Sequence, residues 1–303
     1  MLKVKKKQAA IFGKHFMSLI GLLLAAGLLC YGNCQALPDQ EEVWSAFLDW
    51  YKAAPLRSNP LQGYTEKLQK DGMTRAEIER QTAIISRLFS EREEVAEIFY
   101  DRVYARPVTG DPARDGFNSA PSTFLIGATK KLKPGIALDA GMGQGRNAVY
   151  LAQQGWDVTG FDISLKALDA SRLNAEKAGV CIKTVKSSYS KFDFGKEKWD
   201  LIVLIFAWAP VSDPDFVARL HTSLRRGGKI VFEHFIDDPD HPYAAPVRAL
   251  QPGKLRIYFG DFRIERCEEK EGIGDYGGPG SLLVRMVAQK RPPGQDFCVW
   301  FNL

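Results

Sequence analysis

With 303 residues, 45% of them hydrophobic and 25% charged, the chain has material for one sizeable core and an appendage. Its formal net charge of +5 is carried by Lys3, Lys5, Lys6, Lys7 and Lys14 in a stretch without acids, so the remainder is neutral. A neutral remainder offers no basic face to a nucleic acid, and Cys181, Cys267 and Cys298, the three cysteines beyond residue 36, lack metal-ligand spacing.

Residues 1–36 open on those lysines and continue into an uncharged run with an apolar heart at Leu19–Tyr31. The layout fits a signal peptide, with Cys34-Gln35-Ala36 as an imperfect small-residue cleavage site, or a short membrane anchor. Either would hold the lysines inside and place the chain from residue 37 onward outside, with membrane association through this segment. Residues 37–120 read as a helical extension and linker. Val43, Phe47 and Trp50 share one helical face, and Ile78, Ile84, Ile85 and Leu88 mark another amphipathic stretch. Thr74, with Glu77 three residues on, has the form of a capping box. These helices either pack as core or form a lid. The Pro/Gly/Asp-rich segment 106–120 is a loop, and Pro121 opens a helix.

From 121 to 303 apolar runs alternate with helical patterns, which predicts an α/β fold. Strands are expected at Ile136–Asp139, Trp156–Phe161, Cys181–Val185, Trp199–Phe206 and Lys229–Phe235. Between them Ser164 caps a helix that Gly179 stops, and a second helix runs from Asp213 to Leu224. Phe262–Glu268 and Ser281–Lys290 close the sheet as an antiparallel edge pair. The class is therefore a doubly wound, mostly parallel sheet with an antiparallel last strand and an N-terminal helical extension. Cys181 and Cys267, beside apolar strand patterns, are expected to be buried.

The chemistry concentrates after the first strand, where Asp139 is followed by Gly141, Gly143 and Gly145. Glycines tolerate positive φ and let a ligand approach the backbone, and a helix start offers free N–H groups. The dinucleotide fingerprint would need a third glycine at Arg146. A carboxylate at Asp139 suits a cationic α-amino group and would repel a pyrophosphate. Asp162, at the tip of the second strand, is placed to accept hydrogen bonds from ribose hydroxyls. Ammonium at one end and ribose at the other describe S-adenosylmethionine (SAM). Arg146 and Asn147 either reach the ligand or cap the helix. Because SAM is made in the cytosol, the leader at 1–36 leaves the compartment open.

The run Asp139-x-Gly141-x-Gly143-x-Gly145-Arg146-Asn147, followed by Tyr150-Leu151-Ala152, resembles motif I of the class I SAM-dependent methyltransferases. Its G-x-G-R-N form, with Leu255–Phe259 ahead of Arg263-Ile264-Glu265, is similar to the tellurite-resistance-type, small-molecule branch. The resemblance implies that Asp139, Gly141 and Gly143 line the methionine end, Asp162 holds the ribose and Ile163 contacts the adenine. Many members place an acid after the third strand to meet the adenine amino group. This chain has Lys186-Ser187-Ser188-Tyr189 there, with Ser188 as the substitute acceptor.

Methyl transfer needs alignment and exclusion of water, and a base only where the acceptor must lose a proton. Acceptor-side groups are expected in Ala207–Pro210, in Glu233-His234-Phe235 and in Asp275–Gly278, with His234 the candidate base. No Asn/Asp-Pro-Pro-aromatic tetrad follows the fourth strand, and a small-molecule acceptor is expected. The competing expectation is a non-catalytic exported or anchored module that retains the fold.

Overall fold

The computed structural model describes residues 39–56, 59–106, 118–237, 250–274 and 280–291. The leader 1–36, the acceptor-side segment at 275–278 and Cys298 lie outside them. Among the described residues no helix is long and apolar enough to cross a membrane. The chain divides into two compact units, Met1–Phe47 with Leu61–Arg87, and Leu48–Pro60 with Leu88–Leu303.

Among the described residues four helices come first: α1 (Gln40–Ala53), α2 (Pro60–Lys70), α3 (Arg75–Glu91) and α4 (Glu94–Tyr104). In the first unit Val43, Phe47, Tyr64, Leu68, Ile78 and Ile85 are buried, and Phe47 meets Tyr64 edge to face at 5.3 Å. Thr74 caps α3 as its sequence predicts, its hydroxyl accepting from the Glu77 N–H at 3.3 Å. The division falls within the helical extension, and α4 belongs with the sheet.

In the second unit α5 (Thr123–Thr129) leads into β1 (Ile136–Ala140), α6 (Arg146–Gln153), β2 (Asp157–Asp162), α7 (Leu165–Lys177) and β3 (Lys183–Lys186). Then come β4 (Trp199–Ile205), α8 (Pro214–Ser223), β5 (Leu224–Phe235), α9 (Lys254–Tyr258), β6 (Phe262–Gly272) and β7 (Ser281–Lys290). The sheet order is β3-β2-β1-β4-β5-β7-β6. The pairs among β1–β5 are parallel, whereas β7 runs antiparallel to β5 and β6. The chain winds outward from β1 to β3, returns, and winds the other way through β4 and β5. A topological switch point therefore falls between β1 and β4, where open α/β sheets bind ligands.

The alternation of β4 shows why its run is apolar throughout. Ile202 and Leu204 join a core with Phe161, Phe192, Phe216 and Phe232. Leu201, Val203 and Ile205 join the other with Leu125, Leu151, Trp156 and Val158. Both faces are covered, so neither tolerates polar residues.

Several boundaries differ from expectation. The helix after Pro121 starts at Thr123 because the Ser122 hydroxyl accepts from Leu125 N–H. β3 begins at Lys183, leaving Cys181 exposed ahead of the strand; Cys267 is half-buried on the edge strand β6. β5 begins at Leu224, which pairs with Trp199 before the register shifts to Leu201 with Lys229. The four-residue edge strand β3 carries too little apolar pattern to set its ends.

Candidate active site

The turn after β1 is a tight glycine cradle whose own N–H groups tie it to the sheet. Gly141, Gly143 and Gly145 have φ of 72°, 53° and 77°. That left-handed region disfavours side chains with a Cβ. The N–H groups of Gly141 and Met142 donate to the Phe161 carbonyl at 2.9 and 3.0 Å, which ties the turn to β2. Gly145 occupies the N-cap position of α6. A Cβ on Gly143 would collide with the Tyr104 hydroxyl.

Asp162 is buried at the tip of β2. Its Oδ2 accepts from the Gly143 N–H and its Oδ1 from the Ser164 N–H, both at 2.9 Å. Burial nevertheless raises its pKa, against the hydrogen bonds from Ser164, Gly143 and Ile163, with Asp101 adding repulsion. Ile163 is half-buried beside it.

Asp139 is buried at the end of β1, and its Oδ2 has no hydrogen-bond partner. Burial pushes its pKa up to about 7, opposed by the Arg146 charge and the Ala148 N–H and reinforced by Asp162. A buried carboxylate oxygen without a donor is costly, and native sites with one call for an explanation. A cationic ammonium placed there would supply both donor and counter-charge. The unpartnered carboxylate oxygen thus fits the amino-acid end of SAM.

Arg146 and Asn147 do not cap α6. The buried Asn147 accepts from the Ser122 N–H through its side-chain oxygen at 3.0 Å. Arg146 is half-buried, donates to the Ala120 carbonyl at 3.1 Å and stands 6.0 Å from the Phe206 ring centroid. Of the two, only Arg146 is placed electrostatically on Asp139. The Ser188 hydroxyl lies 3.0 Å from that of Ser190, in the loop after β3.

His234 is not placed as a base. It is buried, its Nδ1 accepts from the Phe235 N–H at 2.7 Å, and burial lowers its pKa to about 4. A neutral imidazole with one nitrogen already engaged has little driving force to take a proton near pH 7. It packs edge-on against Trp208 at 4.4 Å and lies near Phe206 at 6.3 Å. Phe206 and Trp208 both have φ of 51°, so the tip of β4 carries two strained aromatic residues. Its neighbour Glu233 is committed to structure, paired with Arg285 and accepting from the Ser122 hydroxyl, both at 2.6 Å.

Two contributors carry no signal in the sequence. The Tyr189 hydroxyl shares its proton between the carbonyls of Ala140 at 3.0 Å and Ala207 at 2.7 Å, linking the tips of β1 and β4 across the switch point. Burial, with Asp162, Tyr100 and Asp139 nearby, holds that phenol well above its ordinary value. The other is α4, whose Asp101 accepts from the Ser164 hydroxyl at 2.6 Å and the Lys166 N–H at 3.2 Å. No local pattern marks either, because their partners are distant backbone groups and side chains.

Residues 137–228 match a family model described as a methyltransferase domain. Over that stretch the chain is similar to SAM-dependent methyltransferases. "Hemagglutinin 1" of Eikenella corrodens is 27% identical over 178 residues, 54% of this chain and 57% of that protein. "Probable S-adenosyl-L-methionine-dependent methyltransferase TehB" of Haemophilus influenzae (strain 10810) is 25% identical over 155 residues, 50% of this chain and 53% of its own. "Ubiquinone biosynthesis O-methyltransferase" of Pectobacterium atrosepticum is 31% identical over 123 residues, 40% and 48% of the two chains. The chain thus spans about half the length of the curated relatives it matches. A solved structure described as "Conversion of a Disulfide Bond into a Thioacetal Group during Echinomycin Biosynthesis" shares the fold, with 20% identity and a TM-score of 0.50. It covers 65% of this chain and 92% of the other.

Proposed function

We propose that the protein transfers a methyl group from SAM to a small-molecule acceptor. The observation that carries this reading is the unpartnered, buried Oδ2 of Asp139 beside the glycine turn. When bound, SAM would supply an electrophilic methyl on a sulfonium. Asp139 would hold the α-amino group, the Cβ-free glycine turn would let the amino-acid end approach the backbone, and Asp162 would accept from the ribose hydroxyls. The chain's remaining task is alignment and dryness. The apolar surface of Phe206 and Trp208, backed by His234, suits an acceptor with a flat apolar body. No side chain in that wall is poised to remove a proton, which favours an acceptor that is nucleophilic in its ordinary ionisation state.

Calorimetric titration of the full chain with SAM, S-adenosylhomocysteine and NAD tests the reading. Micromolar binding of the first two, lost in Asp162→Ala and without NAD binding, supports it; binding of none sinks it and favours the non-catalytic module. The leader at 1–36 is carried in this proposal as a signal peptide or membrane anchor. Fractionation of cells, with the chain's N-terminal sequence determined, checks it: a cytosolic, uncleaved chain would exclude both.

A further inference from the structure

The structure places a carboxylate from the N-terminal extension where the sequence around β3 has none. If the amino-acid end of SAM lies on the β1 turn and its ribose on Asp162, the base points onward to the tip of β3. The residues there are Lys186, Ser187, Ser188, Tyr189 and Ser190, without an acid. Helix α4 crosses the same three strand tips. Its Glu97 pairs with Lys186 of β3, its Asp101 bonds Ser164 and Lys166 just past β2, and its Tyr104 stands against Gly143 of the β1 turn. At the β3 end sits Glu93, immediately before the helix. Its Oε1 accepts from the Ser190 hydroxyl at 2.7 Å and its Oε2 from Lys191 Nζ at 2.9 Å.

We propose that Glu93 is the residue that reads the exocyclic amino group of the cofactor's adenine. The inference rests on the SAM reading above. A carboxylate has about four lone-pair sites, and three protein donors, from Ser188, Ser190 and Lys191, leave one for a ligand N–H. Burial raises the Glu93 pKa, but hydrogen bonds from Ser188, Ser190 and Lys191 outweigh it and hold the group below its usual range, ionised. An ionised carboxylate accepts from a 6-amino purine and repels a 6-oxo one, so the device selects adenosyl over inosyl cofactors. Ser188, which the sequence offers for this contact, instead helps to orient Glu93.

The test is calorimetric titration of the full chain with S-adenosylhomocysteine and S-inosylhomocysteine. The wild type is expected to prefer the adenosyl form by tenfold or more. In Glu93→Gln, whose amide both donates and accepts, that preference falls to within about threefold of unity, while Glu97→Gln keeps it. An unchanged preference in Glu93→Gln, or an equal loss of affinity for both ligands, overturns the proposal and leaves the SAM reading standing. A wild type that binds neither ligand overturns both.

Discussion

Two buried titratable residues of the site pull the stability of this protein in opposite directions with pH. Folding raises Asp139 to about 7 from an unfolded value near 3.9, so between those values the native state keeps a proton that the unfolded chain has lost. Stability from this group is present at low pH and lost as pH rises through that window, by up to about 4 kcal/mol at 1.36 kcal/mol per unit. His234, lowered to about 4, does the reverse: the unfolded chain takes a proton first as pH falls, and stability declines from about pH 6.5 downward. In Asp139→Asn the unfolding free energy is therefore expected to rise between pH 5 and pH 7; in His234→Leu it is expected to fall. Urea denaturation at the two pH values reads both, and equal slopes in the two variants would refute the assignment. The same carboxyl sets ligand affinity. S-adenosylhomocysteine should bind more weakly as pH drops below about 7, because a protonated Asp139 offers its ammonium no counter-charge. Asp139→Asn should abolish that dependence along with most of the affinity.

The turn, and the strand tips it joins, form the next level. Gly143→Ala puts a Cβ into a φ of 53° and against the Tyr104 hydroxyl. The backbone strain alone is about 1–2 kcal/mol. Circular dichroism should show an intact fold and calorimetry a lost ligand; retained binding would mean that the cradle is not where SAM sits. Tyr189→Phe removes the proton shared by Ala140 and Ala207. It should cost about 1–2 kcal/mol of stability and weaken S-adenosylhomocysteine several-fold by loosening β1 from β4. Asp139, the three glycines and Asp162 were legible because their chemistry is local, a strand ending in an acid and a turn needing positive φ. The Ser164 cap was legible for the same reason, and its hydroxyl does accept from Ala167 N–H. Tyr189 was not, since its value lies in two carbonyls 18 and 49 residues away. His234 misled because a histidine at a strand tip reads alike whether it faces substrate or, as here, an aromatic wall.

At the scale of the molecule, the helical extension is more than an appendage to the sheet. Periodicity marked apolar faces on α1 and α3, yet no pattern within residues 88–105 says that α4 compacts with residues 118 onward. Its ties are side chain to side chain across long separations: Glu93 to Ser190, Glu97 to Lys186, Asp101 to Ser164. Each is at least partly exposed, and exposed ion pairs contribute only about 0–1 kcal/mol, so these ties add little stability beyond the burial of Val95 and Val103. What the helix adds is position, since Asp101 sits on the start of α7 and Tyr104 on the cofactor turn. Truncation should therefore divide into two regimes. A chain beginning at residue 37 keeps every group of the candidate site and is expected to bind S-adenosylhomocysteine like the full chain. A chain beginning at residue 107 keeps Asp139, the glycines and Asp162 but loses α4, and its affinity should fall by tenfold or more while far-ultraviolet dichroism still reports the sheet. Equal affinity in the two truncations would reduce α4 to packing, and the cofactor site would then be complete within the sheet and its crossover helices alone.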